Sequence, residues 1–234
     1  MVTRAMILAA GLGTRMRPLT NSMPKPLIPV AGKALIDWNL DWLQAGGIHD
    51  VVINSSYLAE QLEAHVQHRA QPRITISREG SPPLETGGGV KQALPLLGDE
   101  PFLTMNSDAI LPLCDPHPIQ QLRAAWNDGI DFLLLLVNRA QAIGWTGNGD
   151  FVMDGEGRIR RPQPNEETPW IFTGIECMHP RAFAGTPEGA FSLSRLWSSG
   201  AAPWYSRVRA ITHSGPWLNV GDLAGLAVAE RYFA

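Results

Sequence analysis

Cysteine is scarce in this chain of 234 residues, which contains only Cys114 and Cys177. The two lie far apart in the sequence, and neither has a second cysteine close by. A disulfide framework and a cysteine-based zinc site both need more cysteines at closer spacing. The cysteine content therefore argues against both kinds of protein and is typical of a reducing compartment.

Strong charge of one sign and long apolar runs are also lacking. The net charge is −3, whereas nucleic-acid-binding proteins usually carry a basic surface. No apolar run approaches the roughly 18 residues that a membrane span requires. The N-terminus enters an apolar run directly, without the pattern of a secretion signal. We therefore expect a cytoplasmic protein without nucleic-acid or membrane partners.

Several common catalytic signatures are missing from the sequence. No Lys-Ser or Lys-Thr pair completes a Walker A loop, and Met16 stands where a dinucleotide-binding fingerprint would have its third glycine. No serine lies in a Gly-x-Ser-x-Gly element, and the six histidines show no metal-binding spacing. A P-loop NTPase, a nicotinamide-dependent enzyme and a serine hydrolase are thus disfavoured.

The most unusual stretch is residues 7–30, where an apolar run breaks into Gly11-Leu12-Gly13-Thr14-Arg15. Glycines let a backbone approach a ligand and expose its N–H groups, as in phosphate-binding loops. Arg15 and Arg17 supply guanidinium donors for phosphate oxygens, and Lys25 supplies a compact positive charge. A simple turn would explain the glycines alone, but together with four prolines this set indicates a stiff loop around a polyphosphate.

Strand and helix periodicities alternate along the chain. Apolar runs at 5–10, 51–54 and 102–105 predict buried strands, and helical spacing over 35–43 and 57–67 predicts helices. This alternation is typical of an α/β fold, with a mostly parallel, Rossmann-like sheet and helices on both faces in three layers. Further strands are predicted at 74–77, 131–137 and 172–175, a hairpin at 152–159, and helices from Pro118 and over 223–233.

Two further stretches lie where ligands of such a sheet bind. Residues 79–90 contain three consecutive glycines before Lys91, and we expect a flexible loop there, at a helix N-terminus. A plain surface turn is the alternative. Asp108 follows the strand at 102–105, so its carboxylate would be placed to hold Mg²⁺ together with phosphate oxygens. Capping of a turn is the other explanation of this aspartate.

The motifs LAAGLGTRMRPLT and MPKPLIPVAGKALI resemble the signature of the sugar-1-phosphate nucleotidylyltransferases. The likeness runs through most of the chain and is strongest at residues 7–36, 85–97, 102–108, 149–151, 172–180 and 213–221. The resemblance implies the nucleotide-diphospho-sugar transferase fold. It also implies transfer of a nucleotidyl group from a nucleoside triphosphate to a sugar 1-phosphate, with Mg²⁺ as cofactor and pyrophosphate as product.

The resemblance also implies roles for residues of this chain. Arg15, Lys25 and Asp108 would be catalytic, and Asp108 and Asn219 would bind Mg²⁺. The implied nucleotide contacts are Leu8, Ala10, Gly11, Leu12, Gly13, Thr14, Arg15, Lys25, Glu85, Thr86, Gly87 and Asn106. The implied sugar-phosphate contacts are Asn106, Asp150, Thr173, Gly174 and Asn219. The glycine-rich stretch after Glu85 would hold the nucleobase, largely through backbone atoms.

The chain departs from the pattern of this family at two places. Asn219 stands where many members have a metal-binding aspartate; its amide oxygen could still bind Mg²⁺, and Asp222 is the fallback. Residues 160–162, Arg-Arg-Pro, replace a Glu-Lys-Pro element that grips the sugar phosphate. Either arginine could serve that phosphate, or both could be simply solvated. Asp150 could equally be a hairpin turn residue.

The resemblance favours one substrate pair over others. The motifs LETGGGV and Gly-Asp-Phe, together with the chain length, favour UTP and N-acetylmuramate 1-phosphate, a reaction of peptidoglycan recycling. GTP with mannose 1-phosphate and dTTP with glucose 1-phosphate are the alternatives. A nucleotide-sugar-binding regulatory subunit without turnover is an alternative of another class, favoured by Asn219.

The sequence predicts a single domain, in a monomer or a small homo-oligomer. We expect a nucleotide-binding part at about 1–110, a sugar-binding part at about 111–234, and no C-terminal β-helix domain. Trp197, Trp204 and Trp217 could stack on a sugar ring, although tryptophan more often packs in a core.

Overall fold

The computed structural model describes residues 2–198 and 207–234, so Trp204 lies outside the described residues. The strands are β1 (Arg4–Leu8), β2 (Pro29–Val30), β3 (Lys33–Ala34), β4 (Asp50–Ser55), β5 (Arg73–Arg78), β6 (Phe102–Asn106), β7 (Ala109–Ile110), β8 (Phe132–Asn138), β9 (Ala142–Ile143), β10 (Val152–Met153), β11 (Ile159–Arg160), β12 (Trp170–Met178), β13 (Val208–His213) and β14 (Trp217–Asn219). The helices are α1 (Leu35–Ala45), α2 (Ala59–Val66), α3 (Glu85–Leu97), α4 (Pro118–Ala125), α5 (Arg195–Ser198) and α6 (Leu223–Phe233). No helix in these ranges is long and apolar enough to cross a membrane.

A seven-stranded sheet forms the centre of the fold, with the strand order β13-β8-β12-β6-β1-β4-β5. The pairs β1–β4, β1–β6, β4–β5 and β8–β13 are parallel. β12 runs antiparallel to both of its neighbours, β6 and β8, and so joins the two parallel parts. The predicted mostly parallel sheet is confirmed.

Helices cover both faces of this sheet. On one face α1, α2 and α4 bury Leu40, Leu62 and Leu122 in a common apolar cluster with the strands. On the other face α3 buries Val90 and Leu97 in a second cluster. Burial of such side chains is the main driving force for the three-layer arrangement, which matches the expected α/β fold.

The carboxyl ends of β1 and β6 lie side by side at one edge of the sheet. Leu8 is paired with Asn106 in parallel register, and the N–H of Ser107 donates to the Leu8 carbonyl at 3.3 Å. The glycine loop that follows β1 and the segment 106–108 therefore meet, as expected for a ligand site in a sheet of this kind.

The C-terminal part of the chain returns to the same edge. β14 pairs with β7, which places Asn219 opposite Ala109, and the N–H of Val220 donates to the Asp108 carbonyl at 2.8 Å. This short antiparallel pairing brings Asn219 beside Asp108, although the two are far apart in the sequence.

The triple glycine lies inside α3, so the expected flexible loop before a helix is wrong. The helix begins at Glu85 and includes residues 87–89. A Cβ at Gly88 would lie well inside van der Waals distance of the Gly189 carbonyl oxygen. The chain at 189–191 packs directly on the backbone at Gly87 and Gly88, whereas the side chains of Glu79 and Asn54 approach Gly89. All three positions therefore need glycine for close contact and not for flexibility.

We predict that Gly88→Ala destabilises the protein by about 1–3 kcal/mol, because the new methyl group must displace a backbone oxygen. The effect should exceed the gain of about 1 kcal/mol that alanine brings to a helix. Urea unfolding followed by circular dichroism measures it. Gly80→Ala is the matched control, since a Cβ there meets open space, and it should stay within about 1 kcal/mol of the wild type. Equal unfolding midpoints for Gly88→Ala and the wild type would contradict the packing argument.

Candidate active site

Two cavities open at the edge of the sheet where these segments meet. Their volumes are about 330 Å³ and about 240 Å³. Arg15, Asn106 and Asp108 line both, so the cavities adjoin at these side chains. The first is lined by the predicted nucleotide contacts Leu8, Ala10, Gly11, Gly13, Thr14, Arg15, Lys25, Glu85, Thr86 and Asn106. The second is lined by the predicted sugar-phosphate contacts Asn106, Asp150, Thr173, Gly174 and Asn219.

Two predicted nucleotide contacts do not line the first cavity. Leu12 is 45% exposed on the surface of the loop and is absent from the cavity wall. Gly87 is buried in α3, and its N–H donates to the Phe191 carbonyl at 2.8 Å. The Gly88 N–H donates to the same carbonyl, so these backbone donors are engaged within the protein. The structure therefore brings Glu85 and Thr86, but not Gly87, to the cavity.

An ion pair joins Lys25 and Asp108 at the centre of the site. Nζ lies 2.6 Å from Oδ2, and the two side chains are only 12% and 22% exposed. Nζ also donates to the Gly221 carbonyl at 3.3 Å. Gly13 has a φ of +61°, and a Cβ there would lie 3.0 Å from the Lys25 Cβ, so glycine lets the loop close on the lysine.

Arg15 and Asn219 both lie next to Gly221. A Cβ at Gly221 would lie 3.4 Å from each terminal nitrogen of Arg15 and 3.2 Å from Oδ1 of Asn219. Arg15, Asn219 and Asp108 line the same second cavity. One carboxylate and one amide oxygen beside space for phosphate oxygens suit Mg²⁺, which takes few protein ligands and keeps several waters.

Asp222, the fallback metal ligand, caps a helix. Its Oδ1 accepts a hydrogen bond from the Gly225 N–H at 2.8 Å and caps the first turn of α6. It lines neither of the two cavities, so the structure favours Asn219 over Asp222 as the neighbour of Asp108.

Asn54 and Glu79 form a buried part of the first cavity that the sequence motifs do not identify. Oδ1 of Asn54 accepts the Ala9 N–H and its Nδ2 donates to Oε1 of Glu79, both at 2.6 Å. Oε2 of Glu79 accepts the Leu84 N–H at 2.8 Å. These bonds tie the loop after β1 to the start of α3. In the sequence, the only feature that indicates these two residues is their position at or just after the carboxyl ends of neighbouring strands.

Aromatic side chains form much of the wall of the second cavity, namely Trp145, Phe151, Phe172, Trp197 and Trp217. The Trp197 ring lies 5.3 Å from Phe151 and 5.4 Å from Phe172, measured between centroids. The Trp217 Nε1 donates to the Thr173 carbonyl at 3.0 Å. The contacts between these rings and the hydrogen bond of Trp217 give the second cavity a largely apolar wall.

The predicted Thr173-Gly174 pair lies where the register of β12 is interrupted. Gly174 has a φ of +80°, and a Cβ there would lie 2.6 Å from Nδ2 of Asn106. Thr173 Oγ1 donates to the Leu135 carbonyl at 2.8 Å. Gly174 therefore makes room for Asn106 at the junction of the two cavities.

Asp150 and Arg161 face the second cavity from the two ends of a hairpin. Oδ2 of Asp150 accepts the Phe172 N–H at 2.9 Å, and its Oδ1 lies 3.8 Å from Nη1 of Arg161. Burial raises the pKa of Asp150, against the opposing effects of that N–H and of Arg161. The hairpin turn itself is formed by residues 154–157, so Asp150 is not the turn residue that was the alternative.

Known proteins with similar sequences are nucleotidyltransferases. Residues 4–163 match the family described as "Nucleotidyl transferase". The chain is 41% identical to an N-acetylmuramate alpha-1-phosphate uridylyltransferase of Caulobacter vibrioides, over 98% of this chain and 96% of the relative. It is 36% identical to a protein of the same name from Neisseria meningitidis, over 97% and 96% of the two chains.

Solved structures share this architecture at low sequence identity. HddC from Yersinia pseudotuberculosis, complexed with GMP-PN, has a TM-score of 0.77 at 19% identity over 100% of both chains. UDP-glucose pyrophosphorylase complexed with UDP-glucose has a TM-score of 0.76 at 18% identity, over 100% of this chain and 98% of that one. The fold is thus that of the nucleotidyltransferases. The chain belongs to the nucleotidyl transferase family, as a sugar-1-phosphate nucleotidylyltransferase, which confirms the predicted resemblance and enzyme class.

The buried carboxyl of Glu176 should make the stability of the protein depend on pH. It is buried on β12, and this burial raises the pKa of its carboxyl to about 8 from an ordinary 4.5, with the Trp197 indole opposing. Between these two values folding takes up a proton, so the stability of the wild type falls as pH rises, by at most about 1.4 kcal/mol per pH unit. Glu176→Gln cannot ionise and should gain on the wild type steadily from pH 5 to pH 8.

Urea unfolding at intervals across this pH range measures the effect. Glu156→Gln, at an exposed ion-paired glutamate of the hairpin turn, is the control and should follow the wild type. A Glu176→Gln curve parallel to that of the wild type would show that the buried carboxyl is not the source of the pH dependence.

Proposed function

We propose that this chain transfers a uridylyl group from UTP to N-acetylmuramate 1-phosphate and forms UDP-N-acetylmuramate and pyrophosphate. The observation that carries the proposal is the pair of adjoining cavities that share Arg15, Asn106 and Asp108. The choice of UTP and of the muramate sugar rests on the names of the two relatives that match nearly the whole chain.

In this reaction the first cavity takes the triphosphate and the second takes the sugar 1-phosphate. An oxygen of the sugar phosphate attacks the α-phosphorus where the cavities meet, and pyrophosphate leaves in line. Because the nucleophile is already an anion, no general base is required. The protein contributes positioning and neutralisation of charge. The nucleotide part would lie at about 1–110 and the sugar part at about 111–234.

Each charged residue of the site has a role in this scheme. Arg15 and the N–H groups at Gly11 and Gly13 would bind the triphosphate. Lys25 would bind oxygens of the reacting phosphates. To do so, its Nζ must leave the Asp108 carboxylate, with which it is paired in this structure. Asp108 and Asn219 would hold Mg²⁺, which supplies charge neutralisation at the reacting phosphates when bound.

A nucleotide-sugar sensor without turnover is the second candidate. Asn219, which stands where many relatives have an aspartate, is the feature that favours it. Arg15, Lys25 and Asp108 favour the enzyme, since a protein that only binds would not need all three at or beside the junction.

Pyrophosphate release with Mg²⁺ tests the proposal across the four nucleoside triphosphates and several sugar 1-phosphates. We expect the highest kcat/KM for UTP with N-acetylmuramate 1-phosphate. A higher value for GTP with mannose 1-phosphate, or for dTTP with glucose 1-phosphate, would replace the substrates and keep the chemistry. Binding of nucleotide without any turnover would favour the sensor.

Lys25→Ala is expected to lower kcat by about a hundred- to a thousand-fold, because a preorganised cation at the reacting phosphates is lost. Initial rates with saturating substrates measure this, and circular dichroism checks the fold. Lys33→Ala is the control: its Nζ lies over Trp38 and pairs with Asp41, and it lines neither cavity. Full activity of a folded Lys25→Ala variant would remove the lysine from the mechanism.

A further inference from the structure

We infer that Arg161 recognises the carboxylate of the sugar substrate and so distinguishes N-acetylmuramate 1-phosphate from N-acetylglucosamine 1-phosphate. The inference rests on the proposed function. The two sugars differ by a lactyl ether on O3, whose carboxylate adds one negative charge. A cation beside the sugar, separate from the cations that bind phosphate, would let a site recognise the muramate sugar by this charge.

Arg161 is placed beside the sugar and away from the reacting phosphates. In the described part of the chain, two cationic side chains line the second cavity, Arg15 and Arg161. Arg15 also lines the first cavity, together with Lys25 and Asp108, whereas Arg161 lines only the second. Because the sugar phosphate must reach the junction of the cavities to react, Arg161 is available for another group of the sugar.

The guanidinium of Arg161 is held by aromatic rings in a geometry suited to a carboxylate. Its central carbon lies 4.6 Å from the Phe151 centroid and 5.5 Å from that of Trp197. A guanidinium that lies over an aromatic ring can still use its planar set of N–H donors, and such a set binds a carboxylate with two hydrogen bonds. Nη1 donates to the Asp150 carbonyl at 3.1 Å, which fixes the orientation. The side chain is 44% exposed and accessible to a ligand.

Arg161 forms only a long ion pair with the Asp150 carboxylate. Its distance of 3.8 Å from the Asp150 carboxylate exceeds that of a hydrogen bond. The neighbouring Arg160 shows the opposite arrangement, with two hydrogen bonds of 2.7 Å to Glu166. Of the two adjacent arginines, Arg160 therefore binds a protein carboxylate, and the guanidinium of Arg161 lines the cavity.

The test compares kcat/KM for N-acetylmuramate 1-phosphate and N-acetylglucosamine 1-phosphate, each with UTP. Arg161→Gln should lower the value for the muramate sugar by about ten- to a hundred-fold, the loss of charged hydrogen bonds, and leave the glucosamine sugar unchanged. Arg161→Lys, which keeps the charge without the planar fork, should lie between. Arg158→Gln is the control, since this arginine pairs with Asp154 at the hairpin turn and lines neither cavity.

An equal fall for both sugars would overturn the inference, because Arg161 would then serve the shared phosphate or the fold. Unchanged selectivity would overturn it as well. A wild type that does not use the muramate sugar would overturn the proposed function before any variant is tested, so the two failures are distinguishable. If Arg161→Gln does not fold, Arg161→Lys provides the test. Calorimetry then measures its affinity for UDP-N-acetylmuramate and for UDP-N-acetylglucosamine. Loss of affinity for the muramate product alone supports the inference, and equal loss or no loss overturns it.

Discussion

The ion pair between Lys25 and Asp108 is the contact on which the arrangement of the site depends. Through Nζ it joins the loop after β1, the end of β6 and, at the Gly221 carbonyl, the segment after β14. Both charges are largely removed from water, and close geometry is what offsets the cost of desolvating them. The same two groups are those that the proposed reaction needs at the phosphates, and in that scheme the ion pair would hold each of them in position until the substrates bind.

The sheet topology explains how one site can draw on both halves of the chain. The first cavity is built mainly from the segments that follow β1, β5 and β6, and the second from β12, β14 and parts of the segment 145–161. β12 is hydrogen-bonded to β6, so the two groups of loops share one rigid support. This continuity keeps the junction at Arg15, Asn106 and Asp108 well defined. Precise relative placement of two substrates is the main requirement of an in-line transfer.

Site residues that belong to a short sequence motif could be predicted from the sequence. Site residues that depend on contacts between distant segments could not. The glycine loop, Lys25 and Asp108 carry their signal in residue type and in the neighbouring strand pattern, and they line the site as expected. In the sequence the glycines at 87–89 resemble a flexible loop, because their partners are not visible there. The segment that packs on Gly87 and Gly88 lies about one hundred residues further along the chain, and Gly89 contacts Asn54 and Glu79. Asn54 and Glu79 were missed because their mutual hydrogen bond depends on two strands being neighbours in the sheet.

The close packing of α3 has a consequence for how the two substrates are handled. The segment that contacts its glycine face continues to Leu193, whose N–H donates to Oγ1 of Thr86 at 2.8 Å, and then to Trp197. Thr86 belongs to the wall of the first cavity and Trp197 to that of the second. The start of α3 and the aromatic wall are therefore connected through one short, packed segment. If a ligand in the first cavity displaces the start of α3, this connection would change affinity in the second cavity, and by reciprocity each substrate would then alter the binding of the other by the same factor.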